Sequence, residues 1–262
     1  MDKDTRAALA LRLGQIACEA GKIILAADRA SSLKPDGSPV TAADRASEQL
    51  IRAQLQTLDA ALPVIAEESF DAVRQHEAPR RFALIDPLDG TREFIAGRDE
   101  FTVNLAVIED GAPAAAAVYA PARRQLYLAG AQAFRVDAEP GSTVALGASQ
   151  PLRTRAYPPE GLAALVSRSH LDDATHRMID RLPLRTCEPT GSSLKFCLIA
   201  EGRADVYPRL SPTMEWDTAA GHAVLVAAGG QVVAPDGSAL TYGKPGLRNL
   251  GFVAWGRAPL AL

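Results

Sequence analysis

Two carboxylates three residues apart, Asp86 and Asp89, have the spacing in this chain that most readily suggests chemistry. They follow an apolar run at residues 82–85, which predicts a buried strand that ends at Asp86. Pro87 should take the chain out of the sheet there, because proline cannot donate to a central ladder. Two acids at such a corner point at one small volume, where they could hold a hard cation.

The next residues predict an anion site beside these two acids. Gly90 supplies turn chemistry, and Thr91 can cap a short helix that begins at Arg92. The first turn of a helix leaves backbone N–H groups free, and such groups bind phosphate. A cation site next to a phosphate site indicates phosphoryl chemistry. Taken alone, the Asp-x-x-Asp-Gly spacing also fits an ordinary solvated turn.

Other acidic stretches fit the same site. Asp44 lies in the first turn of a predicted helix, and Asp217 opens another one. Glu67 and Glu68 directly follow a short predicted strand at residues 63–66. Each stretch also has a simpler explanation: a capping box for Asp44, a surface location for the glutamates, and the helix dipole for Asp217.

Repulsion between carboxylates favours a bound cation if these stretches converge. Two carboxylates about 5 Å apart repel by roughly 3 kcal/mol at an effective dielectric constant near 20. Several such pairs would cost a multiple of that free energy without a counter-ion. Ligation by oxygen alone is typical of Mg²⁺ rather than Zn²⁺.

Composition and charge argue against several classes of protein. With 262 residues, 47% of them hydrophobic, and a net charge of -3, the chain lacks the basic character of a nucleic-acid polymer binder. Cys18, Cys187 and Cys197 have no metal-type spacing, so we expect reduced thiols that serve packing in a cytoplasmic protein. We find no signal peptide and no run of membrane-spanning length, while loose attachment at the inner face of the membrane stays open.

Hydrophobic periodicity in the first half predicts the elements that position these residues. A long amphipathic helix covers residues 9–27, and a turn-rich break follows at residues 31–39. A second helix begins after Thr41, with Leu50, Ile51, Leu55 and Leu58 on its buried side. Residues 72–81 are polar and predict a loop or short helix. Alternating patterns predict largely antiparallel strands at residues 101–108, 114–119, 125–129 and 133–136.

The pattern changes to strands that alternate with helices after residues 138–142. Strands are predicted at residues 162–166, 204–207, 231–234 and 251–254, and helices at residues 172–180, 192–200 and 216–228. We therefore expect an α+β lobe at residues 1–140, with the antiparallel sheet and most metal ligands. An α/β lobe at residues 141–262 should carry Asp217 and the substrate-binding residues.

These motifs together resemble the inositol monophosphatase superfamily of lithium-sensitive, magnesium-dependent phosphatases. The resemblance is carried by Asp86-Pro87-Leu88-Asp89-Gly90-Thr91 and by Trp216-Asp217 with the later Gly229-Gly230. Within the superfamily the chain is most similar to the 3′(2′),5′-bisphosphate nucleotidases of the CysQ type, in stretches such as Glu100-Phe101-Thr102-Val103-Asn104 and Gly191-Ser192-Ser193-Leu194-Lys195. The resemblance implies a two-lobed, five-layer αβαβα sandwich with the metal site between the lobes.

The resemblance also implies roles for individual residues. Two or three Mg²⁺ ions would be held by Glu67, Asp86, Asp89, Asp217 and the Leu88 carbonyl group. Asp44 and Thr91 would orient the attacking water, and Glu67 would share in catalysis. The substrate-binding set would be Glu67, Asp89, Gly90, Thr91, Arg92, His170, Ser192, Lys195, Arg209 and Asp217.

Arg209 carries the expectation about the substrate. Inositol-type members have a glutamate for sugar hydroxyls shortly before their Trp-Asp motif, whereas this chain has a cation, which favours a second phosphate. We therefore expect hydrolysis of adenosine 3′,5′-bisphosphate (PAP) to AMP, and of its sulfated relative PAPS, in sulfur metabolism. An inositol phosphate or sugar bisphosphate is the alternative substrate, and a non-catalytic metal or nucleotide sensor is the alternative class. His170 and Lys195 could instead be ordinary surface residues, and the protein could be a monomer or a homodimer.

Overall fold

The structure is a computed structural model that describes residues 1–71, 78–169 and 171–260. His170 and most of the loop or short helix predicted at residues 72–81 therefore lie outside the described residues. In the described part of the chain the α-helices are α1 (Lys3–Ala26), α2 (Ala42–Leu58), α3 (Thr91–Ile95), α4 (Asp173–Ile179), α5 (Leu194–Ala200) and α6 (Ala219–Ala227).

The strands follow largely the predicted order. They are β1 (Ser31–Leu33), β2 (Pro39–Thr41), β3 (Val64–Ala66), β4 (Arg81–Asp89), β5 (Thr102–Glu109), β6 (Ala112–Ala120), β7 (Gln125–Ala129), β8 (Ala133–Asp137), β9 (Gln150–Pro151), β10 (Leu162–Ser167), β11 (Leu184–Thr190), β12 (Val206–Arg209), β13 (Thr213–Met214), β14 (Gln231–Val233), β15 (Arg248–Asn249) and β16 (Phe252–Trp255).

Two large sheets form the body of the protein. The first has the order β3-β4-β5-β6-β7-β8-β9 and is antiparallel except for the β3–β4 pair. The second has the order β11-β10-β12-β16-β14, with β10, β11 and β12 parallel and with β16 antiparallel to β12 and β14. The first sheet takes its last strand, β9, from residues after 140, and the predicted lobe boundary remains a prediction.

The faces of these sheets give the order of the layers. On β5, Val103 and Leu105 pack with α1 and α2, whereas Ala106 and Ile108 pack with α5 and α6. The second sheet turns Tyr207 toward the same α5 and α6 layer, and its other face packs with α4. The layers therefore run α1 and α2, first sheet, α5 and α6, second sheet, α4. This is the five-layer αβαβα sandwich that the sequence resemblance implies.

Local signals place the start of α2 well and other ends less well, since α1 begins at Lys3, six residues before its predicted start. The capping box of α2 is confirmed, since Thr41 is its N-cap and Asp44 its reciprocal partner. Leu58, predicted to be buried, is 39% exposed because it lies in the last turn of α2. The turn-rich break at residues 31–39 contains the short hairpin of β1 and β2.

The corner after residue 85 differs from the prediction in two details. The strand does not end at Asp86, because β4 continues to Asp89. The pairing of β4 with β5 is irregular between these two residues, so Pro87 does not need to donate a hydrogen bond to the sheet. The helix does not begin at Arg92, because α3 starts at Thr91 with Gly90 as its N-cap.

Three further observations concern strand β11, the cysteines and the helices. β11 was not predicted, because most of its residues are exposed and it forms an edge of the second sheet. The cysteines are free; Cys18 and Cys197 are buried, but the packing role predicted for Cys187 is wrong because it is exposed. No helix among the described residues is both long and apolar enough to cross a membrane.

Candidate metal and phosphate site

The site begins at the irregular end of β4. Asp86 stands opposite Asn104 of β5, while Asp89 stands opposite Thr102, so one extra residue on β4 is accommodated between them. Asp86 is 1% exposed, and its Oδ1 atom accepts the Leu88 N–H at 3.0 Å. The local fold therefore fixes a charged group at the sheet end rather than leaving it in solvent.

Three of the predicted metal ligands converge at this corner. Carboxylate oxygens of Glu67, Asp86 and Asp217 all lie within 4.8 Å of one another. Burial raises the pKa of Glu67 to about 7, and Asp217 adds to the shift although Lys34 opposes it. Burial, followed by the nearby Glu67 and Asp89 charges, raises the pKa of Asp86 well above its usual value. Such mutual repulsion between buried oxygen donors is the condition that a hard divalent cation relieves.

Asp89 connects this corner to the second half of the chain. Its Oδ2 atom accepts the Ser193 N–H at 2.6 Å and the Asn104 Nδ2 group at 3.3 Å. Ser193 also donates through its hydroxyl group to the Asp217 carbonyl at 2.8 Å. The Oδ1 atom of Asp89 has no hydrogen bond within the described residues, so it remains available to a cation.

Asp217 is positioned by the segment that leads into α6. Its Oδ2 atom accepts the Met214 N–H at 3.0 Å and the Thr213 hydroxyl group. Burial first, and then Asp89, raise the pKa of Asp217, whereas Arg209 opposes the shift. The Asp217 carboxylate is therefore held in one orientation, and the nearby positive charge of Arg209 does not fully offset the effect of burial and of Asp89 on its pKa.

Asp44 and Thr91 form the pair predicted to orient water. Asp44 Oδ2 accepts both the N–H and the hydroxyl group of Thr41, at 2.8 and 2.6 Å. Its Oδ1 atom lies 3.0 Å from Thr91 Oγ1, which is also 3.1 Å from the Leu88 carbonyl oxygen. The capping role and the contact to Thr91 therefore coexist, because they use different oxygens of Asp44.

Gly90 brings backbone N–H groups to the same side of the corner. Its φ of 92° is left-handed, and a Cβ atom there would lie 3.0 Å from the Glu100 carbonyl oxygen. Only glycine satisfies both conditions without strain. Gly90 and Thr91 stand at the start of α3, where backbone N–H groups lack helical partners and can bind a phosphate oxygen.

Lys34 belongs to this site although no sequence signal identified it. The β1–β2 hairpin places its Nζ atom 2.7 Å from Glu67 Oε1 and 2.6 Å from Glu68 Oε1. The side chain is 18% exposed, so the ion pairs are shielded from solvent on most sides. A lysine in a turn-rich stretch gives no indication of a partner more than thirty residues away.

A cavity of about 780 Å³ opens over these groups. Most of the predicted site residues line it: Glu67, Asp86, Leu88, Asp89, Gly90, Thr91, Arg92, Ser192, Lys195, Arg209 and Asp217. Asp44 is 2% exposed and reaches the cavity through Thr91.

The two cations on the far wall have different surroundings. Lys195 is buried, and its Nζ atom donates to the Thr190 and Ser192 carbonyls at 3.0 and 2.7 Å, so it fixes the turn that carries Ser192. Burial lowers the pKa of Lys195 to about 8, although Asp89 opposes the shift. Arg209 has a buried Nε atom with no partner among the described residues, and its Nη2 atom makes a long contact, 3.4 Å, with the Pro212 carbonyl. Although burial opposes the shift, the Tyr207 hydroxyl group and the Asp217 charge lie close enough to raise the pKa of Arg209.

A second network that sequence reasoning missed supports this wall. Glu100 Oε2 accepts the Gly191 N–H at 2.8 Å, and Arg168 Nη2 lies 3.0 Å from both Glu100 oxygens. Gly191 has no room for a side chain, since a Cβ atom would lie 2.7 Å from the Glu100 carbonyl oxygen. Glu100 therefore holds the loop between β11 and α5 against α3.

The chain is similar to known proteins over most of its length. A model of the inositol monophosphatase family matches residues 2–251. The 3′(2′),5′-bisphosphate nucleotidase CysQ of Salmonella typhimurium is 45% identical over 213 residues, which cover 80% of this chain and 81% of that protein. The protein of the same name from Escherichia coli K12 is 44% identical over the same shares.

Solved structures give the same result. A crystal structure of CysQ from Bacteroides thetaiotaomicron superposes with a TM-score of 0.81 at 37% identity, covering 95% of this chain and 97% of that one. An inositol monophosphatase from Zymomonas mobilis has a TM-score of 0.75 at 24% identity, covering 95% of this chain and 93% of that one. At that lower identity the likeness concerns the fold alone.

Proposed function

Because the chain belongs to the inositol monophosphatase family, we propose that it is a metal-dependent 3′(2′),5′-bisphosphate nucleotidase. It hydrolyses the 3′-phosphate of adenosine 3′,5′-bisphosphate to give AMP and inorganic phosphate. The curated relatives named above support this activity at 44–45% identity. PAPS is a further substrate under the proposal, because it carries the same 3′-phosphate.

Arg209 is the observation that carries the choice of substrate. Burying a guanidinium group costs free energy unless a partner compensates for the lost water. The Nε atom of Arg209 has no such partner among the described residues, yet the side chain lines the cavity. A second phosphate group of the substrate would give the guanidinium group a charged partner in the cavity, whereas the neutral hydroxyl groups of inositol would not.

The residues at the β4 corner fit two or three Mg²⁺ ions. Glu67, Asp86, Asp89, Asp217 and the Leu88 carbonyl group would hold them, because this set offers oxygen donors and excess negative charge. When bound, Mg²⁺ would supply Lewis acidity toward the phosphoryl group and a lowered pKa for a coordinated water.

The chain's own groups orient the reactants. The backbone N–H groups of Gly90 and Thr91 bind the non-reacting oxygens of the 3′-phosphate. The Thr91 hydroxyl group donates to Asp44 Oδ1, so its lone pairs can accept a hydrogen bond from the attacking water. That water then presents its own lone pair to phosphorus, and its proton passes toward Asp44 through Thr91 Oγ1.

Other expectations remain part of the proposal. An inositol phosphate or sugar bisphosphate as the main substrate is disfavoured by Arg209, and a pure sensor is disfavoured by the intact Asp44–Thr91 pair. The three free cysteines support a cytoplasmic location. The two lobes, at residues 1–140 and 141–262, and a monomeric or homodimeric state are also proposed.

A phosphate-release panel tests the function. Adenosine 3′,5′-bisphosphate, inositol 1-phosphate and fructose 1,6-bisphosphate are compared in Mg²⁺, with Asp89→Asn as a control against contaminating phosphatases. We expect the bisphosphate nucleotide to have the highest kcat/KM, and the variant to lose at least about 100-fold on every substrate. A higher kcat/KM for either of the other two substrates would reject the nucleotidase assignment.

A further inference from the structure

A second cavity lies at the end of the first sheet that is remote from the acidic corner. It has a volume of about 570 Å³ and lies between the first turn of α1 and the helix α6, beside the β5–β6 turn. β5 starts at Thr102, opposite Asp89, and ends at Glu109 near this cavity. Eight strand residues span roughly 24 Å, so the cavity is separate from the site described above.

The walls of this cavity are apolar on the side of α6. Ala223, Val226 and Ala227 form that wall, and Val232 and Leu240 continue it. Val226, in the last turn of α6, is 48% exposed, so this wall offers an apolar side chain to solvent. The volume falls within the roughly 300–1,000 Å³ that is typical of small-molecule sites.

The opposite wall is cationic. Lys3 and Arg6, from the first turn of α1, have no side-chain hydrogen bond or ion pair with any described residue. The Nε atom of Arg6 is also buried without a partner. Asp110, the acid at this rim, does not neutralise them, because Arg80 lies 2.6 Å from its carboxylate. Two uncompensated positive charges therefore face an apolar wall.

His222 adds a polar ring to the lining of the cavity. Its Nδ1 atom lies 2.9 Å from the Tyr242 hydroxyl group, which donates in turn to Thr218 Oγ1. Thr218 donates its own proton to the Glu215 carbonyl, so this chain of hydrogen bonds accommodates the tautomer in which Nδ1 donates to Tyr242. Burial lowers the pKa of His222 to about 4, so the ring is neutral at pH 7, and in this tautomer Nε2 is an acceptor.

We propose that this cavity binds a small organic anion that is not the substrate. The anionic group, a carboxylate or phosphate, pairs with Arg6 and Lys3, and a compact apolar body packs against Val226 and its neighbours. A hydroxyl or amino group on the ligand donates to Nε2 of His222. The site goes beyond the proposed function, because none of these residues lines the cavity over the acidic corner.

The test uses 6-hydroxy-2-naphthoate, which combines the three features and contains no phosphate ester. It is titrated calorimetrically into the wild-type protein and three variants, each first shown to melt cooperatively. Arg6→Met removes the buried cation, and Val226→Trp fills the cavity from an exposed position. Arg12→Met is the matched control, because Arg12 is an exposed arginine of the same helix outside the cavity.

We expect the wild type and Arg12→Met to bind the probe equally. Arg6→Met should bind at least about 10-fold more weakly, since a charge-assisted hydrogen bond is lost, and Val226→Trp should not bind detectably. The proposal is overturned if the wild type does not bind, or if Val226→Trp binds like the wild type. It is also overturned if a folded Arg6→Met keeps full affinity. Should Arg6→Met not fold, the comparison of Val226→Trp with Arg12→Met decides.

Discussion

The guanidinium group of Arg209 is partly buried and lines the cavity, so we expect it to affect substrate binding through direct contact with the substrate. A phosphate that does not react is held equally in the ground state and the transition state. Arg209→Ala should therefore raise KM for adenosine 3′,5′-bisphosphate more than it lowers kcat, with a loss of roughly 10–150-fold in kcat/KM.

Adenosine 3′-phosphate is the matched control substrate for Arg209, because it lacks the 5′-phosphate. Steady-state kinetics on both substrates with both proteins separate the possible roles. The variant should leave the monophosphate nearly unaffected. Equal losses on the two substrates would mean that Arg209 supports the fold or the reacting phosphate instead.

The two oxygens of Asp44 allow its two roles to be separated. Asp44→Asn can keep an acceptor for Thr41 but presents an amide donor, not a carboxylate, to Thr91. We expect kcat to fall by roughly 100-fold or more, because the proton acceptor is lost, while the melting temperature changes little. Asp44→Ala should lose the cap as well, at about 1 kcal/mol of stability. Measurement of kcat and thermal unfolding on the same preparations checks this, and wild-type kcat in Asp44→Asn would leave Asp44 as a helix cap only.

Among the elements, those with strong local signals were predictable and those defined by distant contacts were not. The Thr41 capping box and the β4 corner could be predicted, because periodicity and turn chemistry act within a few residues. The exact end of β4 could not be predicted, because it depends on the hydrogen-bonded pairing of β4 with β5 beyond Asn104. Lys34 and Ser193 were missed as site residues, since the Ser193–Asp89 bond spans 104 residues and no local pattern encodes it.

Two acids position the loop between β11 and α5: Asp89 accepts the Ser193 N–H, and Glu100 accepts the Gly191 N–H. Glu100→Gln keeps an acceptor for the Gly191 N–H but loses the charge that holds Arg168. Because the loop carries Ser192 at the cavity wall, we expect a higher KM for the bisphosphate, roughly 3–10-fold, at nearly unchanged kcat. Glu139→Gln is the control, because Glu139 pairs with Arg124 at the surface and is 62% exposed. Similar KM values for wild type, control and Glu100→Gln would show that the loop needs no such support.

At the scale of the whole molecule, folding brings carboxylates from separate layers into one cluster. Asp86 lies in β4 of the first sheet, Glu67 directly follows β3, and Asp217 lies in the segment before α6, so the repulsion among them exists only in the folded chain. Folding without metal should therefore take up protons. Divalent cations should replace those protons and stabilise the whole fold, because they bind the folded cluster and not the unfolded chain.

This coupling predicts an unusual pH dependence of stability in EDTA. A carboxyl group whose pKa is raised on folding contributes stability that is complete below its unfolded value, 4.5 for Glu67, and is lost as the pH rises through about 7. The melting temperature of Glu67→Gln should therefore fall less than that of the wild type between these pH values. His222, whose pKa is lowered, titrates with the opposite sign in both proteins, so the difference between them reports Glu67 together with the carboxyl groups that its charge affects, such as Asp86. Excess Mg²⁺ should raise the wild-type melting temperature more at pH 8 than at pH 5, since protons compete for the same oxygens. Parallel profiles for the two proteins in EDTA, together with a Mg²⁺ effect independent of pH, would contradict a proton-binding acidic cluster at this corner.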